Sequence, residues 1–223
     1  MNKNTIEFVG MPGAGKSTIV DKIKDDENHL IGTDDLNKIW MQFNVLQKIK
    51  IVLYSFENIR LWIEILKNIP ANVSCRNCIQ RLLKIPIYEA FLKVNENSIV
   101  LDQGSLQNVW SIMVRNKRVR RSSIEKLICL LAQDKTIFLV DVNEGVLVER
   151  ITSRTGHSLY DGNEENDIHI AIKNDQDFFY TIQLILKQTN ANFYVINNNK
   201  EIETAYQNIQ SLLVNETSVK NEN

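Results

Sequence analysis

Cysteine is scarce and odd in number, with Cys75, Cys78 and Cys129 the only three in 223 residues. Such a set does not make a disulfide framework. Cys75 and Cys78 form a single C-x-x-C, open as half a zinc site or a redox pair. No second C-x-x-C completes a zinc site, and Cys129 with His29, His157 and His169 shows no ligand spacing, so two cysteines on neighbouring helical turns is the plainer reading. An excess of one charge is lacking too. With 26 Lys and Arg against 27 Asp and Glu, the net charge of -1 gives no overall drive toward nucleic acid or acidic membranes. No apolar run approaches membrane-spanning length, and polar residues lead straight into the first strand pattern without the apolar stretch of a signal peptide. The expectation is a cytoplasmic protein with no membrane partner. What is present is 43% apolar residues in a chain long enough for one sizeable core, which suits a single α/β domain.

Three of the chain's eight glycines fall close together, in Gly10-Met11-Pro12-Gly13-Ala14-Gly15-Lys16-Ser17. This is a complete G-x-x-x-x-G-K-[ST] phosphate loop. It lies between a strand pattern, Thr5 to Val9, and a helix pattern from Lys16 with Ile19, Val20 and Ile23 on one face. The glycines permit backbone torsions that turn successive amides inward around phosphate oxygens at a positive helix end. Gly10, Gly13, Ala14, Gly15, Lys16, Ser17 and Thr18 are therefore the expected phosphate contacts. Lys16 supplies a mobile charge, and the Ser17 hydroxyl suits a phosphate-bound magnesium ion. The loop says what is bound and leaves the reaction open, since kinases, ATPases and GTPases share it.

Further along, His29 to Thr33 reads as a short strand ending at the acidic pair Asp34-Asp35. A carboxylate there faces the ligand end of an open α/β sheet, while a helix cap is the competing role for one of the two. Residues 36 to 69 read as helix, broken at Pro70, and a second helical stretch from Cys75 to Leu92 is bent at Pro86. It carries Arg76 and Arg81, suited to an anionic acceptor or to a solvated face. Trp40, Tyr54, Phe56 and Trp62 suit ring stacking, although aromatics at helical spacing belong more often to a core. Ser98 to Asp102 is a buried-strand pattern ending in an acid, and Asp102 is the leading magnesium partner. Asp141 ends a second such strand, Thr136 to Val140, but leads directly into a helix that it could cap. The basic stretch Arg115 to Arg121 reads as a charged surface connection, with nucleic acid left open as a weaker reading because no aromatics interleave with it. Arg150 and Arg154 share one helix face. A polar, glycine-bounded stretch follows from Thr155 to Asn163 and reads as a mobile lid. Then come a long helix to Gln188, a last strand Asn192 to Ile196, and a closing helix with a polar end from Asn215.

With the phosphate loop, Asp102 and the run Phe138 to Arg154 in place, the chain resembles nucleoside and nucleotide kinases, especially thymidylate-kinase-like proteins, nearly end to end. The resemblance implies a three-layer P-loop NTPase fold: a mostly parallel five-stranded sheet with helices on both faces, a helical acceptor-binding insert at about 36–97 and a lid at about 153–166. These would form one kinase domain over 1–214, with 215–223 a frayed polar tail. It also implies that Lys16, Arg150 and Arg154 bind and neutralise the transferring phosphoryl group, and that Asn197 to Lys200 lie beside the adenine. Two positions depart from thymidylate kinases. Gln103 stands where their D-R pair has arginine, and Thr33-Asp34-Asp35-Leu36 replaces an E-P ending, which points away from thymidylate as acceptor.

The expected protein is an ATP- and Mg2+-dependent kinase acting on a small-molecule phosphoryl acceptor, a nucleotide, a nucleoside or another hydroxyl or phosphate compound. Lys16, Asp34, Asp102, Arg150 and Arg154 form the catalytic set, Ser17 and Asp102 hold the metal, and Asp34 orients or deprotonates the acceptor. A partner-controlled ATPase or nucleotide switch is the competing class, and a kinase acting on a nucleic-acid end is a third. A GTPase is disfavoured by the lack of N-K-x-D and of D-x-x-G after the Asp102 strand. Related kinases pair through helices, so a homodimer stays open, because helical faces in one sequence do not separate a dimer surface from a core.

Overall fold

The computed structural model describes residues 4–27, 29–67, 76–115, 121–153 and 165–220. Four strands are found among them: β1 (Thr5–Gly10), β2 (Ile99–Leu101), β3 (Thr136–Asp141) and β4 (Asn192–Asn197). They form one parallel sheet in the order β2-β1-β3-β4. β1 and β2 are buried throughout and β3 nearly so, as near-continuous apolar runs in a parallel sheet covered on both faces should be. Across three strands Phe8, Phe138 and Tyr194 stand in register on one face, with ring centroids 5.1 Å and 5.5 Å apart.

The expected fifth strand is reduced to one residue. Ile31 bridges Ile99 beyond β2, donating its amide to the Ser98 carbonyl and accepting from Val100. The chain cannot extend further as strand because helix α2 (Thr33–Gln42) begins at once. The Asp35 carboxylate accepts the Gly32 amide at 3.0 Å and so starts that helix. Ile31 still occupies the edge position that a fifth strand would take.

The helices divide into packing groups on either side of this sheet. α1 (Lys16–Asp26) packs with α10 (Ile202–Lys220), whereas α6 (Ser105–Arg115) and α7 (Arg121–Leu131) pack on α9 (Glu165–Gln188), which also carries α8 (Glu144–Thr152). α10 extends to Lys220, past the point where the polar tail was expected to fray. The stretch expected as one helix from 36 to 69 is divided into α2, α3 (Val45–Ser55), a short 3-10 turn at Phe56–Asn58, and α4 (Ile59–Lys67). The breaks have local causes. Asn44 and Gln47 exchange side-chain bonds with each other's amides at 2.9 Å and 2.8 Å, a reciprocal cap that starts α3. Asn58 accepts from the Leu61 amide at 3.2 Å and starts α4.

α5 (Arg76–Val94) runs through Pro86 and supports both α3 and α4. Above it, Leu36, Ile51, Phe91 and Leu101 form a second core apart from the main one. Trp40 belongs to this packing, edge-on to Phe91 at 5.4 Å, and Phe56 stacks on Trp62 at 5.0 Å. These aromatics are occupied by one another.

Candidate active site

At the carboxyl end of β1 the chain turns through the phosphate loop with Gly13 at φ 82° and Gly15 at φ 85°, torsions that L side chains rarely adopt. Gly10 is required for another reason, since a Cβ there would meet the Val140 carbonyl oxygen at 2.7 Å. No side chain caps α1 at Gly15, and the loop lies at the positive end of that helix. Lys16 folds back over the loop and donates to the carbonyls of Gly10 and Met11 at 2.7 Å and 3.1 Å. Thr18 is exposed on the first turn of α1.

Three segments meet at Asp102. Ser17 of the loop donates to Asp102 Oδ2 at 2.7 Å, and Thr33 at the start of α2 donates to Asp102 Oδ1 at 2.7 Å. The acid at the end of β2, rather than Asp141 at the end of β3, is therefore the one beside the loop's hydroxyl. Asp141 instead offers its carbonyl to the Asn198 amide at 2.9 Å. Thr33 was not among the expected site residues. Its hydroxyl side chain directly before the acidic pair was the available signal, masked by placing it inside a strand.

The acidic pair divides as the capping argument requires. Asp35 caps α2 and pairs with Lys24 at 2.6 Å. Its hydrogen bond from Lys24, aided by the Gly32 amide, lowers its pKa from 3.8 to about 2. Asp34, adjacent to Thr33, is exposed.

Two residues brace the loop from outside it. Asn198 is 1% exposed and donates to the Ala14 carbonyl at 2.8 Å. Asn197, the expected adenine neighbour, is exposed at the end of β4 and accepts from the Asn199 amide. Gln107 of α6 accepts the Gly10 amide at 3.0 Å. Gln107 is itself held through its own amide, which together with that of Leu106 donates to the buried Glu7 of β1 at 3.2 Å and 2.6 Å. Glu7 thus caps α6 from the neighbouring strand. Gly104 leaves it room, because a Cβ there would lie 2.3 Å from the Glu7 carboxyl carbon.

Beneath the loop Glu7 also pairs with Lys135 at 2.9 Å, and Lys135 reaches Glu89 at 2.7 Å. Burial opposes the Lys135 charge, but Glu7 and Glu89 outweigh it and hold its pKa above the usual lysine range. Burial and the charges of Glu7, Glu89 and Asp102 push the Tyr88 hydroxyl well above the usual tyrosine range.

Arg150 reaches the loop from α8. A Cβ on Gly13 would lie 3.8 Å from that of Arg150, whose Nη2 donates to the Lys200 carbonyl at 3.4 Å. Its Nη1 is buried with no hydrogen-bond partner among the described residues. Arg154, the rest of the expected lid through 164, and residues 116–120 lie outside the described residues, as does Cys75. Arg81 is exposed on α5.

No protein-family model matches the chain, and no curated protein sequence does. Solved structures do. Deoxyadenosine kinase from M. mycoides, with products dCMP and a flexible dCDP bound, matches at 17% identity and TM-score 0.54, over 95% of this chain and 98% of that one. The same enzyme with bound dATP matches at 17% identity and TM-score 0.53, over 94% and 98%. With bound dCTP it matches at 15% identity and TM-score 0.51, over 95% and 99%. The chain shares the fold of these deoxyadenosine kinase structures. In this fold the phosphate loop, Asp102, Thr33 and Arg150 come from four different segments yet converge at the carboxyl end of the central strands, where open α/β sheets place their ligands.

Proposed function

We propose that this chain is an ATP- and magnesium-dependent kinase that transfers a γ-phosphoryl group to a hydroxyl or phosphate of a small acceptor, with nucleosides and nucleotides the first class to consider. The observation that carries the reading is the Ser17–Asp102–Thr33 junction at the exit of the phosphate loop. It gathers two hydroxyls and a carboxylate beside the start of α1, an oxygen donor set that suits magnesium, which keeps several waters and takes few protein ligands. The buried Nη1 of Arg150, which has no partner among the described residues, suits an anionic donor in the same way.

In this reading the amides of Gly13 to Thr18 bind the donor phosphates, and Lys16 leaves the loop carbonyls to pair with them. Ser17 and Asp102 would hold magnesium, which neutralises phosphate charge when bound. Arg150 adds positive charge from α8, and Arg154 does so from the segment following it. Asp34, exposed beside Thr33, orients or deprotonates the acceptor hydroxyl, and the helices α2 to α5 form the insert that receives the acceptor. The protein's contribution is then positional and electrostatic.

The test is coupled ADP release with ATP and magnesium across deoxynucleosides, nucleoside monophosphates, sugars and small hydroxy acids. Acceptor-dependent release is expected, and Lys16→Ala should lower turnover by about two orders of magnitude or more with an unchanged far-UV circular dichroism spectrum. Slow ADP release that no acceptor stimulates, with ATP still bound, would favour a partner-controlled ATPase instead.

A further inference from the structure

A groove opens at the amino ends of the strands, at the pole of the molecule opposite the phosphate loop. Its volume is about 800 Å³, within the roughly 300–1,000 Å³ of small-molecule sites. Two turns lie side by side in it because β3 and β4 are parallel neighbours: residues 132–135 lead from α7 into β3, and residues 189–191 lead from α9 into β4. Asn192 Nδ2 donates to Thr136 Oγ1 at 3.1 Å and joins the two strand starts. Asn4, Gln133, Asn190 and Asn192 bring four carboxamides to the lining, and Asp134 brings a carboxylate. That aspartate breaks two local rules at once. Its φ is 58°, and among the described residues it is the one residue other than glycine with a positive φ. Glycine is the residue that such a turn after a helix favours. Its charge also stands beyond the carboxyl end of α7, where the helix dipole favours cations. Lys135 follows directly but does not neutralise it, since the Lys135 side chain is 4% exposed and pairs inward with Glu7 and Glu89. A residue held against local preference in this way, with no internal gain to offset it, marks a functional position.

We propose that this groove binds a small organic ammonium compound, its charged nitrogen on the Asp134 carboxylate and its further hydroxyl or amino groups on the surrounding carboxamides. The charge decides the class. The turns after α7 and α9 bring the negative ends of two helices to the rim, and the lining holds no cation besides the inward-paired Lys135. Phosphates and carboxylates therefore meet repulsion there, whereas an ammonium group meets an acceptor at every side. Cys129 adds no charge to the wall, because burial pushes its thiol up. A metal ion is the poorer occupant. Among the described residues no group of three or more His, Cys, Asp or Glu assembles to hold one. The phosphate loop lies at the other end of the same strands, so this assignment does not depend on the reaction the protein carries out.

The experiment is isothermal titration calorimetry of the full chain without nucleotide, with glucosamine and spermidine as probes and glucose as the uncharged control. Submillimolar binding of at least one amine is expected, and glucose should bind more weakly than either. Asp134→Asn keeps the side-chain shape and suits a positive φ at least as well, so it should melt no lower than the unchanged protein. It should nevertheless bind the amine about tenfold or more weakly, because a charge-assisted hydrogen bond is lost. Should that variant not fold, Asn190→Lys sets a cation at the groove from an exposed position and is expected to weaken binding to the same degree. The assignment is overturned if neither amine binds at millimolar concentration or if glucose binds as tightly as the amines. Undiminished binding in a folded variant overturns it as well.

Discussion

Thr33 offers a single hydroxyl to the acid that also receives Ser17. With both oxygens engaged, the Asp102 carboxylate has one orientation relative to the phosphate loop. Removing the Thr33 donor leaves the fold intact but frees that orientation. Thr33→Val should therefore lower kcat roughly tenfold while costing only about 1 kcal/mol of stability, and Thr33→Ser should restore most of the rate. Steady-state kinetics beside thermal unfolding separates the two effects. An equal loss in Thr33→Ser and Thr33→Val would assign the defect to packing rather than to the hydroxyl.

Among the elements, α2 carries the most compact division of labour. Consecutive residues at its start hold the site acid, stand exposed beside it and cap the helix: Thr33, Asp34 and Asp35 in turn. The Asp35 cap has a pH signature. Its folded pKa of about 2 lies below the ordinary 3.8, so the unfolded chain binds the proton more readily. The stabilisation is thus fully present above about pH 5 and is lost as pH falls through about 2. In urea titrations, the stability advantage of the unchanged protein over Asp35→Asn should be constant near neutrality and shrink steadily below about pH 4. A gap of constant size down to pH 2 would show that the Lys24 pair contributes nothing electrostatic.

For the whole molecule, the line from Glu89 through Lys135 to Glu7 links α5, the approach to β3, and β1 within the interior. Glu7 then caps α6, and α6 holds Gly10 through Gln107. The phosphate loop is thereby tied to a buried charge network at the base of the sheet. Lys135→Met would leave two carboxylates facing each other without their shared cation, and a loss of about 3–5 kcal/mol is expected from chemical denaturation. A change below about 1 kcal/mol would mean that the carboxyls take up protons without consequence for the fold.

The phosphate loop, the parallel strands and the position of Asp102 at a strand's end were legible because each depends on local order: a strand, a glycine turn and a helix in succession, or an apolar run closed by an acid. Helix breaks within 36–67 were also written locally, in Asn44-Val45-Leu46-Gln47 and at Asn58, but the apolar periodicity running through them is the louder signal. The braces from Asn198 and Gln107 and the grip of Thr33 on Asp102 join residues 69 to 184 positions apart. No spacing rule connects such pairs. Nor could the sequence separate the outer face of α3 and α4 from a core, since apolar residues occupy both sides of each helix and only the packing on α5 decides which side is covered. Sequence alone thus determined the phosphate loop and its place between a strand and a helix, through backbone chemistry that needs no partner. The tertiary structure decided which side chains surround it, because side chains distant in the chain meet only when the sheet brings their strands together.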